Sequence, residues 1–406
     1  MIVLLVNKYL HVTGGAETVL FKQWQLLDAA GHQVIPFAMA HPDNVPTPFA
    51  RFFAPRVDYE RAGAAGALRE AAGILWSRAA RRGLEELLAG RPAGGRPQVA
   101  HLHNIYHQLS PAVLAPLRAQ GIPAVMTVHD YKLVCPNYRL YTQGAPCERC
   151  LAGNDWHAVI HRCVKGSYAK SMLCAVEGAV HRAMRAYSSL ALLISPSAFL
   201  RDKLVRAGWE ARRIAVLPNP VALPDERRSD DGYVVYCGRL VPEKGLVTLL
   251  RAARQWPGAR LLIAGDGPLR AVLEEQVAGA PGASVEFLGR LAPDAVAGLL
   301  RGARCLILPA EWPENSPLAV LEALAQGVPV VTTALGGLPE LVTDGENGRV
   351  VAPRDAGALA GAVAGLLQDP ALAGRLGRAG RERMRERHDP AQWLRQHERI
   401  YTEAMG

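Results

Sequence analysis

Short apolar runs alternate with amphipathic helical patterns along the whole chain. In the first half these runs are IVLLVN (2–7), QVIPFA (33–38), QVAHLH (98–103), AVMTVH (124–129) and LALLIS (190–195). Uninterrupted apolar strands separated by helices are typical of a parallel sheet that is covered on both faces. The first half is therefore predicted to form a doubly wound α/β domain.

The second half repeats this pattern. Its apolar runs are YVVYCG (233–238), ARLLIAG (259–265), SVEFLG (284–289), CLILP (305–309) and PVVTT (329–333). Ligands of open parallel sheets bind beyond the carboxyl ends of the strands. The predicted fold class is therefore α/β, with two doubly wound, Rossmann-like domains that face each other across a cleft.

The chain has 406 residues, which is enough for two domains that each bury a core. The segment 219–233 is rich in proline and charge and has no periodicity, so it marks a domain boundary. We expect an N-terminal domain over 1–218 and a C-terminal domain over 219–389. The tail 390–406 has a helical pattern and is expected to pack back on the first domain. Its apolar stripe consists of Trp393, Leu394, Ile400 and Tyr401.

Basic residues outnumber acidic ones by 46 to 37, which gives a formal net charge of +9. This excess favours an anionic partner such as a nucleotide or a phospholipid surface. Nucleic acid is not expected, because the basic residues are not interleaved with aromatic ones. The basic amphipathic stretch 68–91 is expected either to lie on an anionic bilayer or to be a solvated helix face.

The N-terminal residues MIVLLVNKYL carry no basic leader, and the chain has no run of 18 apolar residues. We therefore expect a cytoplasmic protein that touches a membrane only peripherally, if at all. Seven cysteines in that compartment are expected to be free thiols or metal ligands rather than disulfides.

Gly14 and Gly15 lie in VNKYLHVTGGAETVLF (6–21), between a predicted strand and a predicted helix. Glycines in this position let backbone N–H groups approach an anion at the helix N-terminus, where the helix dipole favours negative charge. The alternative is a tight turn with a purely structural role. The spacing is not the GxGxxG of a dinucleotide site.

Histidines occupy two strand ends of the first domain. His129 and Asp130 follow the strand AVMTV, so their side chains are expected to face the cleft. The alternative is a loop hydrogen bond made by His129. His101 and His103 invite a metal hypothesis, but their alternation along a strand more simply places both on one sheet face.

Two glycine-containing turns follow strands of the second domain. YCGRLVPEKG (236–245) delivers Arg239 and Lys244 just before a helix, and two such cations can bind one diphosphate. A solvated basic turn is the alternative. AGDGP (264–268) places Gly265 and Asp266 at the next strand end, where the backbone can also approach a ligand.

The stretch EWPENSPLAVLEALAQG (311–327) separates Glu314 from Glu322 by seven residues. We expect a helix to begin near Pro317, with Ser316 as its N-cap. Glu322 would then lie within two turns of the helix start, where its carboxylate can accept hydrogen bonds from the vicinal hydroxyls of a ribose. The alternative is one surface glutamate and one glutamate that is stabilised by the helix dipole.

Taken together, these motifs resemble the family 4 retaining glycosyltransferases of the GT-B fold. GGAE (14–17), HD (129–130), GRLVPEKG (238–245), GDGP (265–268) and the glutamate pair with ALAQGVPVVTTALGGLPELVTDGENGRVV (323–351) occur in order over nearly the whole chain. The resemblance implies transfer of a sugar from a UDP- or GDP-sugar to a hydroxyl of a saccharide acceptor. It further implies a lipid-linked acceptor, in cell-surface polysaccharide synthesis.

The resemblance also implies residue roles. Glu322 holds the ribose, Arg239 and Lys244 bind the diphosphate, and Glu314 contacts the transferred sugar. His129 lies near the C6 hydroxyl, and no catalytic metal is required because the two cations take its place. The residues expected to bind the donor are Gly14, Gly15, Gly265, Asp266, Gly289, Arg290, Leu291, Asn315, Ser316, Pro317, Leu318 and Glu322.

A cysteine-rich insertion over 131–167 follows His129. Its cysteines have the spacing C-x₁₁-C-x₂-C-x₁₂-C, which allows a structural zinc site with four thiolate ligands. An iron–sulfur cluster, a disulfide or free thiols are the alternatives. The four residues are Cys135, Cys147, Cys150 and Cys163.

Two other functions are compatible with two such domains. A nucleotide-sugar epimerase or hydrolase would need further acid and base carboxylates in the cleft. A non-catalytic nucleotide-sugar-binding protein would have no need for both diphosphate cations and both glutamates.

Overall fold

The strands of the first half form one six-stranded parallel sheet in a computed structural model, which describes residues 1–57, 71–90, 95–224, 229–278 and 282–406. The strands are β1 (Ile2–Val6), β2 (Gln33–Phe37), β3 (Val99–Leu102), β4 (Ala124–Thr127), β7 (Leu190–Ser195) and β8 (Ile214–Val216). Their order in the sheet is β2-β1-β3-β4-β7-β8. A separate antiparallel hairpin consists of β5 (Tyr141–Thr142) and β6 (Ala145–Pro146).

The helices of the first half connect these parallel strands. They are α1 (Gly15–Ala29), α2 (Arg78–Ala89), α3 (Leu114–Ala119), α4 (Trp156–Ile160), α5 (Tyr168–Ala183) and α6 (Ala198–Arg206). Side-chain oxygens of Ser77, Ser167 and Ser197 cap α2, α5 and α6 by accepting a hydrogen bond from a backbone N–H in the first turn.

A second six-stranded parallel sheet consists of β9 (Tyr233–Cys237), β10 (Arg260–Ala264), β11 (Ser284–Gly289), β12 (Ala303–Leu308), β13 (Val330–Thr333) and β14 (Gly348–Val351). Their order in the sheet is β11-β10-β9-β12-β13-β14. The helices are α7 (Leu246–Ala253), α8 (Arg270–Val277), α9 (Pro293–Gly302), α10 (Leu318–Ala325), α11 (Leu338–Leu341), α12 (Ala356–Gln368), α13 (Pro370–Arg387) and α14 (Pro390–Met405).

The predicted pair of doubly wound sheets is confirmed. Each of the ten apolar runs contains a strand, and the central strands of both sheets are buried along their length. The sequence did not predict β8 and β14, because these edge strands have only three and four residues and are partly exposed. An edge strand needs apolar side chains on fewer sides, so its hydrophobic pattern is weak.

The chain divides into two compact units. The first unit comprises Met1–Arg139, Glu148–Leu217 and Ala391–Gly406, and the second comprises Leu140–Cys147 and Pro218–Pro390. The expected boundary after residue 218 lies one residue from the observed one. The division also differs from our expectation within the insertion, because Leu140–Cys147 belongs to the second unit.

The C-terminal helix α14 packs within the first unit. Tyr401 is buried, and its hydroxyl accepts a hydrogen bond from Gln23 of α1 at 2.6 Å. Glu398 pairs with His32 at 2.8 Å, next to the start of β2. The buried stripe contains the expected Trp393, Ile400 and Tyr401 and also His397, whereas the expected Leu394 is partly exposed.

The helix α2 lies within the stretch 68–91, which we had considered as a membrane contact. Its apolar residues Leu84, Leu87 and Leu88 are buried, and its exposed positions are arginines, alanines and a glutamate. This arrangement corresponds to the other alternative, a solvated helix face. Residues 68–70 and 91 lie outside the described part of the chain.

Among the described residues, no single helix is long and apolar enough to cross a membrane. The segments α12 and Pro370–Met405 together have the length and composition of a membrane span, but they are bent by 101° at the break between them.

Candidate functional site

The second sheet reverses its strand order beside β9, which lies between β10 and β12. Ligands of doubly wound sheets bind at such a switch point, beyond the carboxyl ends of the strands. The turn that carries Arg239 and Lys244 follows β9, and the loop that carries Glu314 follows β12. The predicted residues of the second unit are thus gathered at the position where a ligand is expected.

Backbone hydrogen bonds join the three turns that follow β9, β10 and β11. The Gly238 N–H donates to the Ala264 carbonyl at 2.9 Å, and the Leu240 N–H donates to the Asp266 carbonyl at 3.0 Å. The Gly265 N–H donates to the Gly289 carbonyl at 2.7 Å. Gly265, Asp266 and Gly289 are therefore neighbours of the Arg239 turn.

Gly265 has no room for a side chain. Its φ is +140°, and a Cβ atom would lie 1.8 Å from the Gly238 carbonyl oxygen. A glycine is thus required here for the two turns to approach each other.

We expect the substitution Gly265→Ala to destabilise the second unit by about 2 to 4 kcal/mol, from the disfavoured backbone conformation and the overlap with Gly238. The melting temperature should fall by roughly 5 to 15 °C in a thermal unfolding experiment. The matched control is Gly258→Ala, since Gly258 also has a positive φ, of +78°, but a Cβ there meets nothing within 4 Å. Equal shifts for the two variants would contradict the role of the close approach.

Lys244 and Glu314 form a buried ion pair. The Lys244 Nζ lies 2.5 Å from the Glu314 Oε1, and the two side chains are only 12% and 6% exposed. The indole Nε1 of Trp312 donates to the same Oε1 at 2.7 Å, and the Lys244 ammonium lies 5.6 Å from the centroid of the Trp312 ring. Seventy residues separate Lys244 from Glu314, so the sequence did not predict their contact.

The backbone of Glu314 is fixed by a glycine pair. The Gly337 N–H donates to the Glu314 carbonyl at 2.6 Å, and Gly336 has a φ of +68°. A Cβ atom at Gly336 would lie 2.1 Å from the Glu314 carbonyl oxygen. The sequence ALGGLPE (334–340) contains this pair, but no role had been predicted for it.

Glu322 lies in the second turn of α10. Burial of the Cys237 thiol raises its pKa to about 12, and the negative charge of Glu322 is the second cause of this shift. Cys237 is the last residue of β9, so the Glu322 carboxylate lies close to the end of the central strand of this sheet.

The start of α10 differs from our prediction. The helix begins at Leu318, and Pro317 occupies the N-cap position with an extended conformation (φ −71°, ψ 118°). The Ser316 hydroxyl does not cap the helix, and among the described residues its buried oxygen has no hydrogen-bond partner. A residue before proline is driven away from the helical region, which places Ser316 outside the helix. Asn315 is buried beside Glu314.

Other predicted donor-binding residues are exposed. Arg239, Asp266 and Arg290 are exposed, and Leu291 is partly exposed. The Arg239 carbonyl accepts a hydrogen bond from the buried Tyr236 hydroxyl at 2.8 Å, which fixes its backbone while leaving the guanidinium outside.

In the first unit, Gly14 and Gly15 are exposed at the start of α1. Gly14 occupies the N-cap position, and no side chain caps the helix. The loop is anchored by Glu17, which is buried and accepts hydrogen bonds from Thr13 at 2.8 Å and from Asn7 at 3.3 Å. Glu17 is the last residue of the GGAE motif, and no role had been predicted for it.

His129 ends a column of four stacked histidines. Its Nε2 lies 2.8 Å from the Nδ1 of His103, whose ring stacks on His101 with centroids 4.7 Å apart. The His101 ring in turn stacks on His397 of α14 at 5.5 Å. Burial lowers the pKa of His129 to about 4, so this imidazole is neutral at pH 7. The prediction that His101 and His103 share one face is confirmed.

A second polar cluster lies beside the His129 strand end. The Lys132 ammonium pairs with Glu177 of α5 at 2.6 Å, and His107 lies 3.1 Å from the same carboxylate oxygen. Burial by itself raises the pKa of Glu177, but the Lys132 charge and the His107 hydrogen bond lower it to about 2. A cavity of about 320 Å³ opens next to this pair and is also lined by Tyr187 and Trp209.

The predicted metal site lies in the cysteine-rich insertion. None of the seven cysteines of the chain forms a disulfide. Among the described residues, the sets of side chains that are close enough to share an ion are His11–His41–Asp43 and His107–Cys174–Glu177. Cys135, Cys147, Cys150 and Cys163 are not among these sets, so a zinc site at the four thiols stays a prediction that the structure does not support.

Two family models together match most of the chain. The model described as Glycosyltransferase Family 4 matches residues 13–223, and the model described as Glycosyl transferases group 1 matches residues 224–383. The boundary between the two matches lies close to the boundary between the two units.

Among curated proteins, the chain is similar to a glycogen synthase of Mycobacterium tuberculosis, with 34% identity over 226 residues. It is also similar to a D-inositol 3-phosphate glycosyltransferase of Mycolicibacterium paratuberculosis, with 37% identity over 154 residues. These matches cover 52% and 36% of this chain and only 54% and 34% of the relatives. The chain thus spans about half the length or less of these curated relatives.

Solved structures share the fold over the full length. The sucrose-phosphate synthase of Thermosynechococcus elongatus superposes with a TM-score of 0.70 at 23% identity, covering 99% of this chain and 98% of that chain. Anabaena HepE in complex with UDP and glucose superposes with a TM-score of 0.68 at 17% identity, covering 99% of both chains.

Proposed function

Because the chain belongs to the family 4 glycosyltransferases, we propose that it transfers a hexosyl group from a nucleoside diphosphate sugar to an acceptor hydroxyl with retention of anomeric configuration. The observation that supports this most directly is the buried Lys244–Glu314 pair at the switch point of the second sheet. A buried cation and carboxylate at that position suit the two ends of a sugar diphosphate.

The hydrogen-bonding capacity of this pair matches the proposed ligand. An ammonium has three N–H donors, and Glu314 uses one of those of Lys244. We assign the remaining donors to the diphosphate. Both Lys244 and Trp312 bind the Oε1 of Glu314, so the Oε2 is the atom that we assign to a hydroxyl of the transferred sugar.

In the proposed reaction the bond between the sugar C1 and the phosphate oxygen breaks, and a bond from C1 to the acceptor oxygen forms on the same face. The acceptor proton passes to the leaving phosphate oxygen. Lys244 and Arg239 stabilise the negative charge that develops on the diphosphate. We assign the ribose to Glu322, the base to Gly289–Leu291, and the C6 hydroxyl of the sugar to His129. A neutral His129 can exchange hydrogen bonds with that hydroxyl without adding charge.

We assign the acceptor to the first unit. Its cavity of about 320 Å³ combines the rings of Tyr187 and Trp209 with the exposed cations Arg182 and Arg185. Aromatic surfaces with a few polar groups are usual in ligand sites. We propose a lipid-linked saccharide of a cell-surface polysaccharide as the acceptor. The names of the relatives add glycogen and inositol 3-phosphate as further acceptors to test.

Donor binding is tested by thermal unfolding with UDP-glucose, UDP-galactose and GDP-mannose. A donor at 100 times its dissociation constant adds about 2.7 kcal/mol, which should raise the melting temperature by roughly 5 to 10 °C. The preferred donor should then give a product with the anomeric configuration of the donor, and transfer should persist in EDTA. No shift with any nucleotide sugar would contradict the proposed function.

A further inference from the structure

The helix α5 exposes three of its large apolar side chains. Tyr168, Met172 and Val176 follow one another at intervals of four residues, so they lie on one face of the helix. They are 58%, 37% and 38% exposed. The opposite, buried face carries Ser171, Cys174, Ala175, Glu177 and His181. This distribution is the reverse of that in a helix of a soluble core, whose apolar stripe faces inward.

Hydrogen bonds and ion pairs hold the polar face inward. The Glu177 carboxylate pairs with Lys132 at 2.6 Å, and His181 Nε2 lies 2.8 Å from the carbonyl of Leu75. Turning α5 over would separate a buried ion pair, which is strongly unfavourable. The outward position of Tyr168, Met172 and Val176 is therefore fixed by the fold.

The neighbouring helix α4 extends this apolar surface. Arg182 of α5 donates to Asp155, at the start of α4, at 2.6 Å, and Val164, after its end, donates to Ser171 at 3.0 Å. The two helices thus run antiparallel. Of the eleven exposed large hydrophobic side chains in the described part of the chain, six lie on this hairpin. These six, the apolar face, are Trp156, Ile160, Tyr168, Met172, Val176 and Met184.

The exposed charges of the segment 155–188 have one sign. Both carboxylates of the segment 155–188, Asp155 and Glu177, are buried and paired with cations. Every exposed charged residue of the segment is a lysine or an arginine. They are Arg162, Lys165, Lys170, Arg182 and Arg185. An apolar face surrounded by cations, with tryptophan and tyrosine among its residues, has the composition of a membrane-interface element.

We propose that the α4–α5 hairpin docks on an anionic bilayer, with the apolar face in the upper acyl region and the exposed cations Arg162, Lys165 and Lys170 among the lipid headgroups. A second copy of this chain is a poorer occupant, because it would bring the same cations against each other. The inference does not rest on the proposed transfer reaction, since lipid binding is measured without substrates.

Flotation with lipid vesicles tests the proposal on the full chain. The protein should float with vesicles of phosphatidylcholine and phosphatidylglycerol and bind much more weakly to phosphatidylcholine alone. The variant carrying Ile160→Ser, Met172→Ser and Val176→Ser should lose at least about tenfold in binding. The reason is that three apolar side chains no longer enter the acyl region of the bilayer. The variant carrying Lys165→Gln and Lys170→Gln should lose about fivefold for each charge.

The matched control carries Arg78→Gln and Arg82→Gln on α2. These arginines are exposed, but the apolar residues of their helix are buried. The control should bind as the parent protein does. An equal loss in the control, or unchanged binding in the serine variant, would overturn the proposal. A dimer in light scattering that the serine substitutions dissociate, without vesicle binding by the parent, would overturn it in favour of self-association.

A fluorescence experiment gives an independent result that does not depend on the serine variant. Brominated lipids quench tryptophans that enter the acyl region. The proposal expects quenching of the parent protein and a clear reduction in Trp156→Phe, which keeps an apolar ring at the position. Quenching that is absent in the parent, or undiminished by the substitution, would contradict insertion of Trp156.

Discussion

Replacing Lys244 by alanine is expected to reduce the rate of sugar transfer by about 10²- to 10³-fold, as is typical when one buried electrostatic donor to a developing charge is removed. Lys244 is largely buried and held by Glu314, so it is preorganised for this role and needs no rearrangement as charge builds on the diphosphate. Steady-state kinetics with the preferred donor measure the loss, which should fall mainly on kcat.

The controls separate this effect from damage to the fold. Arg251→Gln changes an exposed cation of the same unit and should leave the rate unchanged. His129→Ala should reduce the rate by a smaller factor than Lys244→Ala, because a neutral imidazole contributes only hydrogen bonds to the sugar. Unchanged turnover in a Lys244→Ala variant that melts normally would refute the assignment.

Acidification below pH 6.5 is expected to destabilise the first unit steeply. Burial lowers the pKa of His129 and of His397 to about 4 and lowers the pKa of His101 and His103 well below the usual value. An unfolded histidine takes up a proton near pH 6.5. Between pH 6.5 and 4 the unfolded state therefore binds more protons than the folded state. The free energy of unfolding decreases as the pH is lowered through this range.

The size of this effect follows from the number of histidines. Each contributes up to about 1.4 kcal/mol per pH unit, so four contribute at most about 5 kcal/mol per pH unit. Urea unfolding at a series of pH values measures the slope. His397→Phe keeps a ring in the column but has no proton to gain, so it should lower the slope by up to about 1.4 kcal/mol per pH unit. A free energy of unfolding that is flat from pH 7 to 5 would rule out the neutral buried column.

The sequence predicted the fold because buried parallel strands are apolar on both faces. The ten predicted strands include every central strand of the two sheets, and the strand ends that carry Arg239, Glu314 and His129 lie where they were expected. The pattern failed at β8 and β14, which are short and lie at sheet edges, and at the two-residue strands β5 and β6.

Contacts between distant residues were not predictable from a single sequence. Trp312 had no distinguishing pattern, although its indole binds Glu314. The histidine column joins β3, β4 and α14, whose side chains meet only after the sheet and the C-terminal helix are assembled. The cysteine spacing suggested zinc, but spacing does not determine whether thiols converge.

The exposure of the apolar side of α5 was also not predictable from the sequence. A stripe of Tyr168, Met172 and Val176 has the spacing of a core-facing helix, and only the structure shows that Lys132 and Glu177 hold the opposite face inward. From the sequence, 68–91 was expected either to lie on an anionic bilayer or to be a solvated helix face, because that stretch is basic and amphipathic. Charge density alone does not show which face of a helix is exposed.

The most direct test of the assigned donor site is a calorimetric comparison of UDP and uridine binding to the parent protein and to Lys244→Ala. We expect Lys244→Ala to weaken UDP binding by roughly 10- to 150-fold, the value of a charge-assisted hydrogen bond, and to leave uridine binding unchanged. Equal affinity of the parent and the variant for UDP would contradict the assignment of Lys244 to the diphosphate.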